Sequence, residues 1–246
     1  MNAREAILAE IRRSLKRGPL DSDSQGKLRL QVAAHRRNLI PARATALDHA
    51  ARIDLFVEMA EAVQATVARV DSPAAVPEAV VRYLAGENLP AELVMAPGPS
   101  LDDIPWETRP LLQIRRGRAE ATDAVSLTPC FAAIAETGTL MLTSGAGTPT
   151  TLNFLPDTHI LVVHADQVVA TYEDGWDRLR AKAATNPDGL LPRAVNFITG
   201  PSRTGDIEQQ IVLGAHGPRR LHILVVENRR DVDEHGEGGG QSRAVL

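Results

Sequence analysis

"HILVVHADQVVA", residues 159–170, and "LHILVVE", residues 221–227, are near-continuous apolar runs of strand length. A strand with one wet face alternates apolar and polar residues, whereas a strand covered on both faces need not. Two such runs predict a sheet held between other layers. Upstream, "TVARV" (66–70), "SPAAVPEAVVRYLAG" (72–86) and "AELVMAP" (91–97) read as strand, helix and strand. The helix has a Ser-Pro start and a glycine stop. Parallel neighbours need a crossover of this kind, because their ends lie at opposite edges of the sheet. The fold class is therefore α/β, a three-layer domain with a mostly parallel sheet.

The same reading extends outward. Leu47, Ala51, Phe56, Met59 and Val63 recur with helical period over 46–67. "LLQIRR" (111–116) reads as a strand after a Pro-rich loop holding Trp106, and 132–145 as two short strands that break around Thr137-Gly138. A helix is expected over about 173–186, a strand over 194–200, and a further helix over about 204–213. At the N-terminus Ile7, Leu8, Ile11 and Leu15 form an amphipathic stripe that stops at Gly18-Pro19. That helix either packs on its own domain or docks a partner. The organisation read from this is a helix over 1–17, a linker and arm over 18–45, the α/β domain over 46–228, and a disordered tail over 229–246.

Composition narrows the function classes. A net charge of −4 argues against nucleic acid or an anionic membrane as the main partner. Lysine occurs only at 16, 27 and 182, so arginine supplies nearly all the basic charge, a compositional bias rather than a binding surface. No stretch reaches the roughly 18 apolar residues of a membrane span, and charges interrupt the N-terminus of "MNAREAILAEIRRSLKRG" as a secretory leader. The expected location is cytoplasmic. Cys130 is the single cysteine, so this chain cannot hold an iron–sulfur cluster with its own thiolates. It has no cue for activation and reads as a buried structural thiol.

Two stretches carry the groups from which chemistry is made. In "FITGPSRTGDIEQQIVLGAHGP" (197–218), Gly200 permits a sharp turn and Pro201 stiffens it. Ser202 or Thr204 can cap the expected helix, whose first amides with Arg203 would cradle an anion. Asp206 and Glu208 already complement that helix end, so a capped loop with Arg203 in an internal ion pair is the alternative. In "AETGT" (135–139), Glu136 is a carboxylate inside an otherwise apolar strand, flanked by Thr137, Gly138 and Thr139. Pairing of Glu136 with Arg203 across neighbouring strand ends would satisfy both, either as a polar site or as a structural bridge. His159 and His164 are five apart on one strand and face opposite sides, so they cannot share a metal; no metal site is expected. His216, in "GAHGP", falls in a helix-to-strand turn and suits capping better than catalysis.

"AETGTLML", "LPDTHILVV", "FITGPSRTGDIE" and "GAHGPRRLHILVVE", in this order and spacing, resemble the LUD-domain family in its lactate-utilization branch. The likeness is strong over roughly 120–227 and looser before it. It implies a fold of the NagB/RpiA/CoA-transferase-like type. It also implies membership of a three-protein system that oxidises L-lactate to pyruvate, with iron–sulfur clusters carried by partner subunits and no cofactor held by this chain. The family often has an arginine between Gly145 and Leu155, where this chain reads "AGTPTTLNF". The first expectation is an accessory component that contacts iron–sulfur subunits and binds a small anionic ligand through 137–139, 200–204, Asp206 and His216. The alternative, by analogy with related folds, is a CoA-transferase-like or phospho-ligand enzyme using Glu136 as nucleophile or base.

Overall fold

The computed structural model describes residues 2–16, 18–37, 39–186, 189–205, 211–213 and 216–227, and divides into two units, Met1–Ile40 and Pro41–Leu246. The tail expected over 229–246 lies outside the described residues.

The first unit contains α1 (Ala3–Ser14) and α2 (Ser22–Ala33). Asn2 and Glu5 cap α1 reciprocally, each side chain bonding the other's backbone N–H. Neither helix buries a residue, and Ile7, Ile11 and Leu15 stay exposed. Much of the stretch read as linker thus belongs to α2. Asp21 starts it, its carboxylate accepting the Ser24 N–H at 2.8 Å. With no apolar stripe, α2 leaves no periodic signal in the sequence.

In the second unit six strands form one parallel sheet. They are β1 (Thr66–Val70), β2 (Glu92–Met95), β3 (Gln113–Arg116), β4 (Val125–Pro129), β7 (Thr158–His164) and β12 (Arg220–Val226), in the order β1-β12-β7-β4-β2-β3. The two apolar runs that announced the sheet are adjacent interior strands, β7 and β12, paired from Arg220↔Thr158 to Val226↔His164. On one face, Ile160, Val162, Leu224 and Val226 pack with Val76, Val80 and Leu84 of α5 (Val76–Gly86). On the other, Leu161, Val163, Ile223 and Val225 meet Ile53, Phe56 and Ala60 of α4 (His49–Ala62), which follows the single turn α3 (Ala42–Thr45). Helix, sheet and helix make the three-layer α/β fold that the apolar runs predict.

A second sheet shares the α4 side. It comprises β5 (Ala132–Ile134), β6 (Thr139–Thr143), β8 (Val168–Val169) and β9 (Val195–Ile198), in the order β8-β5-β6-β9. Ala133, Leu140 and Leu142 face the shared core. Ala132 and Met141 turn outward to Leu179 of α7 (Tyr172–Ala184), which opens with a Thr171–Asp174 capping box. The short α6 (Thr151–Phe154) lies at the edge of β4, its Leu152 carbonyl accepting the Ser126 hydroxyl at 2.6 Å.

The helix expected over about 204–213 is not formed by the described residues. β10 (Arg203–Gly205) and β11 (Ile211–Leu213) pair antiparallel instead. Thr204, Gly205, Ile211 and Val212 explain this: glycine and β-branched residues are poor helix formers, and the branched ones favour a pleated strand.

Candidate functional site

Both motif stretches are turns seated on the C-terminal end of α4. β5 and β6 form a hairpin whose turn carries Glu136, Thr137 and Gly138. Gly138 has φ 65°, and a Cβ there would fall 2.3 Å from the Ala60 nitrogen. Gly200, after β9, has φ 73°, and its Cβ would fall 2.3 Å from the Val63 carbonyl oxygen. Only glycine fits at either place, because the conformation and the contact with backbone both exclude a side chain.

A cluster of hydroxyls joins the two turns. Thr139 Oγ1 lies 2.7 Å from Thr137 Oγ1, 2.7 Å from Thr199 Oγ1 and 2.9 Å from the Tyr172 hydroxyl. Each hydroxyl offers one donor and two acceptor sites, so the four can satisfy one another with little help from water. Thr139 is fully buried. This cluster is the physical link between "AETGT" and "FITGPSR".

Glu136 and Arg203 do not pair. Arg203 donates to the Val63 carbonyl at 2.6 Å, while the Glu136 carbonyl accepts from Arg43 and its N–H donates to Ala170 O at 3.1 Å. Val63 is the C-cap of α4, where unpaired carbonyls and the negative end of the helix dipole attract a cation. A helix end therefore takes the guanidinium that the sequence reading gave to Glu136. Glu136 is half-buried and borders none of the cavities described below.

Several expected ligand residues do meet, around a cavity of about 450 Å³ lined by Gly200, Pro201, Ser202, Arg203 and His216. Pro218 O accepts the Ser202 N–H at 2.8 Å, and the His216 N–H reaches Ser202 Oγ at 3.4 Å. Thr137, Gly138 and Thr139 stay outside, connected only through Thr199, which borders the cavity. The cavity also touches His159 and Leu221, at the amino ends of β7 and β12 rather than the carboxyl ends. With β10 in place of a helix, no helix N-terminus follows Arg203 among the described residues to supply an amide cradle or to be capped by Ser202. Thr204 contributes its backbone to β10, and Asp206 lies outside the described residues. His216 follows a strand rather than a helix.

The residue that sequence reasoning undervalued is His159. It is fully buried, with Nε2 2.7 Å from Thr128 Oγ1 and with no partner for Nδ1. Burial pulls its pKa down to about 3, so the ring is neutral at ordinary pH. The available signal was an imidazole inside a run covered on both faces, where a polar group needs a partner or a purpose. Asn153, which donates to Asn196 at 3.3 Å, also lines this cavity. Cys130 is buried, and its thiol is pushed up to about 12 by loss of water. Among the described residues no three of His, Cys, Asp and Glu gather as a metal would need, and no helix is long and apolar enough to cross a membrane.

A parallel α/β sheet backed by a small second sheet, with a ligand-sized cavity between them, defines a three-layer α/β domain. The LUD domain profile matches residues 53–226, and the chain belongs to the LUD domain family. It is 36% identical over 159 residues to a protein named Lactate utilization protein C from Deinococcus radiodurans, covering 63% of this chain and 70% of that one. A protein of the same name from Halalkalibacterium halodurans is 37% identical over 112 residues, 46% of this chain and 47% of that one. The alignment therefore spans less than half of the second relative. The crystal structure of a DUF162 family protein from Deinococcus radiodurans superposes with a TM-score of 0.55 at 29% identity, covering 73% of this chain and 99% of that one.

Proposed function

We propose that this chain is a component of an L-lactate utilization system, working with separate iron–sulfur subunits and binding a small anionic ligand. The observation that carries the reading is the name Lactate utilization protein C on relatives 36% and 37% identical to it. Oxidising lactate to pyruvate removes two electrons and two protons from the C–H and O–H of one carbon, so the system needs an electron acceptor. A single buried cysteine whose thiol is held up to about 12 offers no set of thiolates for a cluster. That ligand chemistry supports placing iron–sulfur clusters of the system on other chains. The role of this chain is then to recognise those subunits and to hold a small anionic ligand.

Affinity purification from an extract of lactate-grown native host tests it. The chain is expected to bring down polypeptides that contain iron and acid-labile sulfide in stoichiometric amounts. Elution free of iron and sulfide, from cells that are actively oxidising lactate, would contradict the partnership.

A further inference from the structure

The loop 200–205 lacks the helix end that made it an anion seat, and a different cavity is lined by two cationic side chains. Three strands adjacent in the main sheet, β2, β4 and β7, are followed at their carboxyl ends by segments that line one hollow of about 290 Å³. Ser100 comes from beyond β2, Thr128 and Phe131 from the end of β4 and just after it, and Gln167 from beyond β7. The carboxyl edge is where open parallel sheets present ligand sites. The chain segments that carry Ser100 and Thr148 to the hollow are tied together nearby: Gly98 N–H donates to Gly147 O at 3.0 Å, and a Cβ on Gly98 would come within 2.9 Å of that oxygen.

The charges lining the hollow are of one sign. Arg178 and Lys182, one turn apart on α7, both line it, and none of its described lining residues is Asp or Glu. Their cationic groups stand over the same ring, with Arg178 Cζ 6.0 Å and Lys182 Nζ 5.4 Å from the Phe131 centroid. Like charges at this helical spacing repel, a cost that the shared ring offsets in part and that an anion between them would relieve further. Arg178 is also held in place. It donates to the Asp166 carbonyl at 2.7 Å, with the Asp166 carboxylate 3.9 Å from its other terminal nitrogen. Phe131 and Leu142 make part of the wall apolar, and Thr143 adds a hydroxyl. Inorganic phosphate would leave the apolar wall unused, whereas a small organic acid would use both parts.

We propose that this hollow is a binding site for a small carboxylate. The Arg178 and Lys182 cations take its charge, and Phe131 and Leu142 its carbon skeleton. The site deepens the proposed anion binding without depending on the lactate system or on partner subunits.

Calorimetric titration of the full chain with sodium L-lactate, sodium pyruvate and sodium phosphate tests it, with Arg178→Gln/Lys182→Gln, Lys182→Gln alone and Arg203→Gln as variants. The three substituted side chains are partly or largely exposed, and melting without ligand checks that each variant folds. A carboxylate is expected to bind the wild type more tightly than phosphate. The double variant should weaken it roughly tenfold to a hundredfold, the worth of one charge-assisted hydrogen bond. Lys182→Gln alone should give a smaller loss, and Arg203→Gln none. Loss on Arg203→Gln with the double variant unchanged would move the site to the other cavity, overturning this one while preserving anion binding. Tighter binding of phosphate would overturn the carboxylate assignment. Absence of any binding would remove both, and would leave the purification experiment to judge the lactate system.

Discussion

Replacing Gly138 by alanine probes the contact on which the placement of both motifs rests. The residue has φ 65°, and the new methyl would fall 2.3 Å from Ala60 N, 2.5 Å from Met59 C and 2.7 Å from Ala60 Cα. All three are backbone atoms in the last turns of α4, so no side chain can swing aside. The left-handed conformation costs alanine about 1–2 kcal/mol. Overpacking against a rigid neighbour adds about 1–3 kcal/mol, so the sum is about 2–5 kcal/mol. For a domain of this size each kcal/mol lowers the melting temperature by about 2–4 °C, which puts the expected drop on the order of 10 °C. Far-ultraviolet circular dichroism on heating, with reversibility checked by a second scan, measures it. Gly86→Ala, at the end of α5 with nothing within 4 Å of the added carbon, serves as control and should melt within about 2 °C of wild type. If Gly138→Ala melts with the control, the hairpin is not seated on α4 and the link between the two motifs fails.

Two further outcomes follow from buried groups. His159 and His222 have pKa values pulled down by burial to about 3 and about 4, the Thr66 contact opposing the shift at His222. The unfolded chain therefore binds protons that the folded chain refuses, and stability falls as pH drops from about 6.5 toward those values. At pH 4.5 each should cost about 2.5 kcal/mol relative to pH 7. Urea titrations at the two pH values should show that loss, and His222→Asn should flatten it; equal stability at both pH values would contradict the burial of these rings. The Cys130 thiol, raised to about 12 by burial, should resist an aromatic disulfide reagent at pH 8 for hours and react at once in guanidinium. Rapid stoichiometric labelling of the native chain would place the sulfur at the surface.

The parts of the fold that were legible in the sequence are those whose signal is local. β7 and β12 announce burial on both faces by their unbroken apolar runs, and α4, α5 and α7 by period, caps and stops. α2 was invisible because it buries nothing, leaving only the Asp21 cap as a mark. The strand at 203–205 was misread because Gly-Pro-Ser before an acidic stretch resembles a helix start, while the branched residues that make the hairpin come later. The absence of a Glu136–Arg203 pair could not be read at all. It depends on the C-cap carbonyl of α4, some 140 residues before Arg203, competing for that guanidinium. The carboxylate hollow was equally hidden. Thr128 and Phe131 stand some fifty residues before Arg178 and Lys182, and only the packing of α7 on the second sheet brings them together.

Growth of the native host on L-lactate as sole carbon source, after clean deletion of this chain's coding sequence and in a background without a second lactate oxidase, bears most directly on the proposed role. The deletion strain should fail on L-lactate, grow normally on pyruvate, and recover on lactate when the wild-type chain is restored. Undiminished growth on lactate would show that the chain has no necessary part in using it.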